Sequence, residues 1–136
     1  MNDHLNPPHG GELVNLLADR AFAREIKQES REWLSWDLCP RQLCDLELLL
    51  SGGFSPLKGF MDHRNYERVC SDMHLSDGTL WPIPIVLDLP DEAARLLKKD
   101  DQLALRDPEG VLLAVMTVGD LWQPYRKAEA EMVYGT

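Results

Sequence analysis

Residues 41–61, RQLCDLELLLSGGFSPLKGFM, constrain this chain more than any other stretch, because an apolar helical run there passes straight into a glycine-rich turn. Leu43, Leu46, Leu49 and Leu50 recur at helical spacing, Pro40 stands where the first helical residue would be, and Gly52-Gly53 supplies residues tolerant of a left-handed stop. Beyond that stop, Phe54 and Phe60 bracket Ser55-Pro56-Leu57, and further glycines permit backbone that a side chain would forbid. The pattern predicts a shaped turn with a packing or docking role.

The rest of the chain is read outward from this helix. With 136 residues it fits one domain, and such a domain buries roughly two thirds of the surface its unfolded chain exposes, with no need of a disulfide or metal staple. Hydrophobic residues at 44% and charged residues at 27% speak for an ordinary globular class rather than disorder. Fourteen basic against twenty-three acidic residues leave −9, which repels nucleic-acid phosphates unless the basic residues gather on one face. Cys39, Cys44 and Cys70 are odd in number and lack C-x-x-C spacing, so a reducing interior is expected. No apolar run approaches the roughly 20 residues that cross a bilayer, and MNDHLNPPHGGEL lacks the order of a secretion signal. The expectation is a cytoplasmic protein without a membrane partner.

Residues 1–11 mix proline, glycine and histidine without periodicity and read as an extended arm. From 18 to 32 helix formers dominate, with Phe22, Ile26 and Leu17 sharing a face and Arg20, Arg24, Lys27 and Glu29 facing water, which predicts a surface helix. Residues 33–38 alternate as a strand would. A further helix is expected over 62–73, capped by Asp62, with Tyr66, Val69, Cys70 and Met73 on one side. Residues 81–89 show the clearest strand periodicity, with Pro82 and Pro84 confining hydrogen bonding to one side. A helical turn at 90–97 follows. Strands at 102–106 and 111–118 flank Asp107-Pro108-Glu109-Gly110, which reads as a β-hairpin. A weakly amphipathic helix is expected at 126–134.

Chemistry-bearing patterns are sparse. Neither G-x-x-x-x-G-K-[ST] nor G-x-G-x-x-G occurs, and Lys58 precedes the last glycine of its turn rather than following it. His4 and His9 lie five apart and His63 and His74 eleven apart, so no pair has the spacing that brings two imidazoles to one metal. Asp91-Glu92 and Asp100-Asp101 are adjacent in sequence and point in different directions. Ser55 lacks a G-x-S-x-G setting. Arg106-Asp107 is expected to steady the hairpin. Trp33, Trp36, Trp81 and Trp122 have few basic neighbours, unlike surfaces that stack bases. No catalytic, cofactor-binding or metal residue is therefore assigned.

Five collinear blocks carry a resemblance: PHGGELVNL, RQLCDLELLLSGGFSPLKGFM, LSDGTLWPIPIVLD, LALRDPEGVLLAVMTV and AEMVYGT. Together they make the chain resemble, from Pro8 onward, the amino-terminal domain of ATP sulfurylase (sulfate adenylyltransferase). The resemblance implies an α+β fold: a PUA-like, mostly β pseudo-barrel over residues 12–136, with helices concentrated in the amino-terminal half. It implies membership of a nucleotidyltransferase of sulfate assimilation that joins sulfate to the adenylyl group of ATP with release of pyrophosphate, ATP and magnesium serving the full enzyme. The family's glutamine-x-arginine-asparagine-proline and histidine-containing segments have no matching positions here, and Asn6-Pro7 is not that motif.

The expected function is thus a non-catalytic accessory domain, inactive alone, that packs on a catalytic domain supplied in cis or in trans, with self-association left open. Phe54, Leu57, Phe60 and Met61 are the candidate interdomain contact, since large apolar groups in one turn are either buried or placed in an interface. Two competing readings are a free-standing PUA-like module that grips RNA, against which the net charge stands, and a complete small enzyme, for which no converging catalytic set is legible.

Overall fold

Aspartate caps start two of the helices in the computed structural model, which describes residues 8–122. The carboxylate of Asp19 accepts from the Phe22 N–H at 2.8 Å and opens α1, Arg20–Glu29. Asp62 does the same for Asn65 at 2.8 Å and opens α3, His63–Asp72. Each cap satisfies one of the amide donors left over in a first helical turn. The surface helix expected over 18–32 is therefore α1 followed by a 3-10 turn, Ser30–Glu32, in which the buried Ser30 hydroxyl donates to the Lys27 carbonyl.

Helix α2, Pro40–Ser51, starts at its proline and stops at Gly52, whose φ of 91° is left-handed. Glycine is required there twice over, because a Cβ would also sit 2.8 Å from the Val14 carbonyl oxygen. Helix α3 ends instead on a non-glycine left-handed residue, Met73 at φ 57°, before the tight turn in which Gly78 donates to the Leu75 carbonyl. A single further helical turn, α4, spans Asp91–Ala94.

Among the described residues three strands form one mixed sheet in the order β1-β2-β3. The first, β1 (Leu34–Asp37), runs parallel to β2 (Gln102–Arg106), with Leu34 opposite Leu103 and Asp37 opposite Arg106. The third, β3 (Leu112–Thr117), pairs antiparallel with β2 as the expected hairpin, with an irregularity at Leu105/Arg106. The turn between them is self-bracing: the Asp107 carboxylate accepts from the amides of Glu109 and Val111, and Arg106 donates to the Gly110 carbonyl. As the central strand, β2 buries Leu103, Ala104 and Leu105 in succession, the pattern of a strand covered on both faces.

One element departs from expectation. Residues 81–89 form no strand; an isolated bridge between His74 and Leu80 lies just ahead of them. Pro82, Pro84 and Pro90 have no N–H to give, and the segment is pinned by scattered bonds such as Met61 N–H to the Ile85 carbonyl and Trp81 N–H to the Met73 carbonyl, each 2.8 Å. Its apolar side chains do not alternate inward either, since Trp81 and Ile85 are buried while Ile83 is exposed.

The α+β class stands, with α1 to α3 complete by Asp72 and the hairpin late. Among the described residues the core has two clusters. Leu49, Leu57, Met61, Val69, Leu75, Trp81 and Ile85 make the first. Leu38, Leu46, Leu97, Leu103, Leu105 and Val118 make the second. Helix α2 supplies Leu49 to one and Leu46 to the other, and Phe60 packs against both. The expected helix at 126–134 and most of the arm at 1–11 lie outside the described residues. Of that arm, His9–Gly11 forms a 3-10 turn, with the His9 Nε2 bonded to the Leu80 carbonyl at 2.6 Å and its ring 5.8 Å from that of Trp81.

Candidate functional site

The 52–61 turn is held from within. Ser55 is buried, and its hydroxyl accepts from the Val14 N–H at 2.9 Å and donates to the Gly52 carbonyl at 2.7 Å. Further backbone bonds run from Phe54 to the Leu48 carbonyl and from Leu57 to the Phe54 carbonyl, and the Ser55-Pro56 peptide is cis. These bonds divide the four candidate contact residues into two kinds. Leu57 and Met61, 8% and 5% exposed, sit in the first core cluster. Phe54 and Phe60 are half-buried: Phe54 meets Trp81 edge-on at 5.8 Å, and Phe60 lies between the two clusters. What the turn leaves at the surface is therefore the rims of two phenylalanines beside the exposed Lys58.

A buried polar hub lies at the start of α2 and was not anticipated. The Gln42 carboxamide is 2% exposed; its Oε1 accepts from the Cys39 N–H at 3.0 Å and the Trp36 indole N–H at 3.1 Å, while its Nε2 donates to the Asp88 carbonyl at 2.8 Å. One side chain thereby ties β1, the α2 cap and the 81–89 segment together. Beside it Arg41 pairs with Asp45 at 3.1 Å and with the Asp88 carboxylate. Its sequence signals are its place as the third residue of the helix that Pro40 begins, where it can reach back to the cap, and its place in an apolar run.

Burial pushes the Asp45 carboxyl above the ordinary carboxylate range, Arg41 pulls it back, and the like charge of Asp88 adds to the rise. An acid whose folded pKa is raised stabilises the fold in its protonated form, and that contribution is lost as pH climbs from the unfolded value through the folded one. Asp45→Asn should therefore gain stability relative to the parent chain between about pH 4 and pH 7. Urea midpoints at the two pH values check this, and a difference that does not change with pH contradicts it.

The remaining candidates disperse. His63 stacks on Trp122 at 5.2 Å and pairs with Glu67 at 3.1 Å, whereas His74 bonds the Asp72 carbonyl at 2.6 Å. Asp101 accepts from the Lys98 amide, and Asp91 and Glu92 occupy the first turn of α4. Among the described residues no group of three or more His, Cys, Asp or Glu is placed to hold a metal ion, and no helix is long and apolar enough to cross a membrane. Cys39 and Cys44 are exposed and Cys70 is buried. Trp81 is buried, and Trp33, Trp36 and Trp122 are half-buried, so the tryptophans serve packing.

Two open depressions mark the surface of the described residues. One, of about 480 Å³, lies between α1 and β3 and is mostly apolar. The other, of about 730 Å³, lies beside α4 and includes Asp88, Asp91, Arg95 and Asp120. Neither lining contains a histidine, cysteine or serine.

The pattern of the PUA-like domain family matches residues 6–136. Among curated proteins, the sulfate adenylyltransferase of Saccharomyces cerevisiae is 44% identical over 130 residues, covering 93% of this chain and 25% of that protein. The sulfate adenylyltransferase of Aspergillus fumigatus is 43% identical over 136 residues, covering 96% of this chain and 23% of that protein. A solved structure described as a hexameric APS kinase from Thiobacillus denitrificans superposes with a TM-score of 0.81 at 42% identity, over 89% of this chain and 24% of that one. The chain thus spans about a quarter of the length of the relatives it matches.

Proposed function

We infer the function from one premise: this chain belongs to the PUA-like domain family, and it matches the amino-terminal region of sulfate adenylyltransferases. On that premise it is an accessory, non-catalytic domain of such an enzyme, and the reaction of ATP with sulfate to give adenylyl sulfate and pyrophosphate, with magnesium, is carried by other residues. The observation behind this reading is the asymmetry of coverage, in which 93% of this chain aligns with only 25% of the yeast relative. A free-standing RNA-gripping module is not favoured, because these relatives are sulfate adenylyltransferases and the chain carries −9.

The partner in this reading is the catalytic portion of the enzyme, met in cis or in trans through the half-buried rims of Phe54 and Phe60, with Leu57 and Met61 as their support. The working place is the cytoplasm, in sulfur assimilation. The hexamer named in the description of the Thiobacillus denitrificans structure supports an oligomeric assembly.

The decisive experiment is a chimera. The matching quarter of the Saccharomyces cerevisiae relative is replaced by this chain, and ATP formation from adenylyl sulfate and pyrophosphate is measured for the chimera and for the chain alone. The chimera is expected to turn over and the chain alone to be silent. Turnover by the chain alone overturns the accessory reading, and a folded but dead chimera overturns the family role.

A further inference from the structure

Helix α1 is amphipathic in sequence but unburied in fact. Phe22 and Ile26 lie one turn apart on one face, with Leu17 just ahead of them, yet no residue of the helix is buried; Phe22 is 51% exposed and Leu17 63%. A ten-residue helix is marginal by itself and draws its stability from packing its apolar face. That face looks across the open groove at β3, whose Leu113 is 41% exposed.

The far wall of the groove is an edge. Four consecutive β3 residues, Leu112 through Val115, line it. Successive strand residues point to opposite faces, so a groove that touches all four runs along the margin of the sheet. Among the described residues, β3 makes its backbone bonds to β2 and none to a strand on its other side. An open strand edge presents a row of amide donors and carbonyl acceptors suited to another extended polypeptide.

The charge of the groove runs against that of the chain. The whole molecule carries −9, whereas the ionisable residues lining the groove are Arg20, Arg24 and Lys27. All three are exposed, and none takes part in an ion pair among the described residues. Carboxylates are what three unpaired cations beside an apolar slot recognise. A nucleic acid fits less well, because the lining offers Phe22 alone for stacking where single-strand binders use several aromatics.

We propose that the α1–β3 groove binds an acidic, apolar polypeptide segment of a protein partner. The segment lies extended along β3, its apolar side chains against Phe22, Ile26 and Leu113 and its carboxylates toward Arg20, Arg24 and Lys27. The lining of the groove includes neither Phe54 nor Phe60, and it works in this way whether or not the chain serves a sulfate adenylyltransferase.

The test uses the full 136-residue chain. A random display library of peptides of about twelve residues, enough for one added strand, is selected on it, and the recovered peptides are measured by fluorescence anisotropy. They are expected to alternate Glu or Asp with Val, Ile or Leu and to weaken severalfold as salt rises from about 50 to about 300 mM. R20E/R24E/K27E is expected to weaken them at least about tenfold, the scale of one or two charge-assisted contacts, with an unchanged thermal midpoint. If the reversal unfolds the chain, R20Q/R24Q/K27Q takes its place. Recovered peptides without acidic residues, binding that ignores either triple variant, no binder above background, or labelled single-stranded RNA bound through the same three cations would each overturn the proposal.

Discussion

Met61→Ala is expected to lower the unfolding free energy of the isolated chain by about 2–5 kcal/mol, the range for a buried methionine truncated where neighbours cannot close in. Its neighbours are poorly placed to do so. Met61 packs in the cluster of Leu49, Leu57, Val69, Leu75, Trp81 and Ile85, and its backbone is fixed by the 2.8 Å bond to the Ile85 carbonyl. Its sulfur also faces the Ile85 N–H at 3.5 Å, so truncation removes that weak acceptor along with the packing. Denaturant unfolding of the isolated chain separates the roles of the 52–61 turn. An interface residue costs little until its partner is present, so a change within about 0.5 kcal/mol would mean that Met61 is not a support of this core.

The second large effect belongs to Gln42. Gln42→Met keeps the length and roughly the shape of the side chain but makes none of its three hydrogen bonds. The Cys39 N–H, the Trp36 indole N–H and the Asp88 carbonyl would each lose a partner. A buried polar group left dry costs about 1–3 kcal/mol. Since these groups are only part-buried, water can reach some of them, and the expected total is about 2–4 kcal/mol. A shift in Trp36 fluorescence should accompany it, because the indole N–H exchanges a protein acceptor for solvent. Full stability with unshifted emission would show that the hub is ornamental.

Local signals were the legible part of the sequence. Pro40 and Gly52 bound α2 by their own backbone geometry, while Asp62 opens α3 and Asp107 closes the hairpin turn through bonds to residues a few positions away. Residues 81–89 misled because alternation reports side-chain pattern, whereas a strand also needs amide donors that prolines lack. The accessory role was legible from five ordered blocks, not from any single residue.

The illegible parts are those made by distant segments. Gln42 meets Asp88 across 46 positions, and nothing near either announces the other. The α1–β3 groove joins residues 16–27 to residues 112–115. The four apolar residues of the 52–61 turn looked alike in sequence. Their division into two core residues and two half-buried rims was settled by where Trp81 and Ile85 came to lie.

Leu46 and Leu49 stand less than one turn apart on a single rigid rod, and each anchors a different cluster. Heat or denaturant that loosens one half must tilt that rod and so strip contacts from the other. The hairpin half and the α3 half are therefore bound to a common fate, and amide exchange protection should vanish from both together, leaving no half-melted species in which one survives.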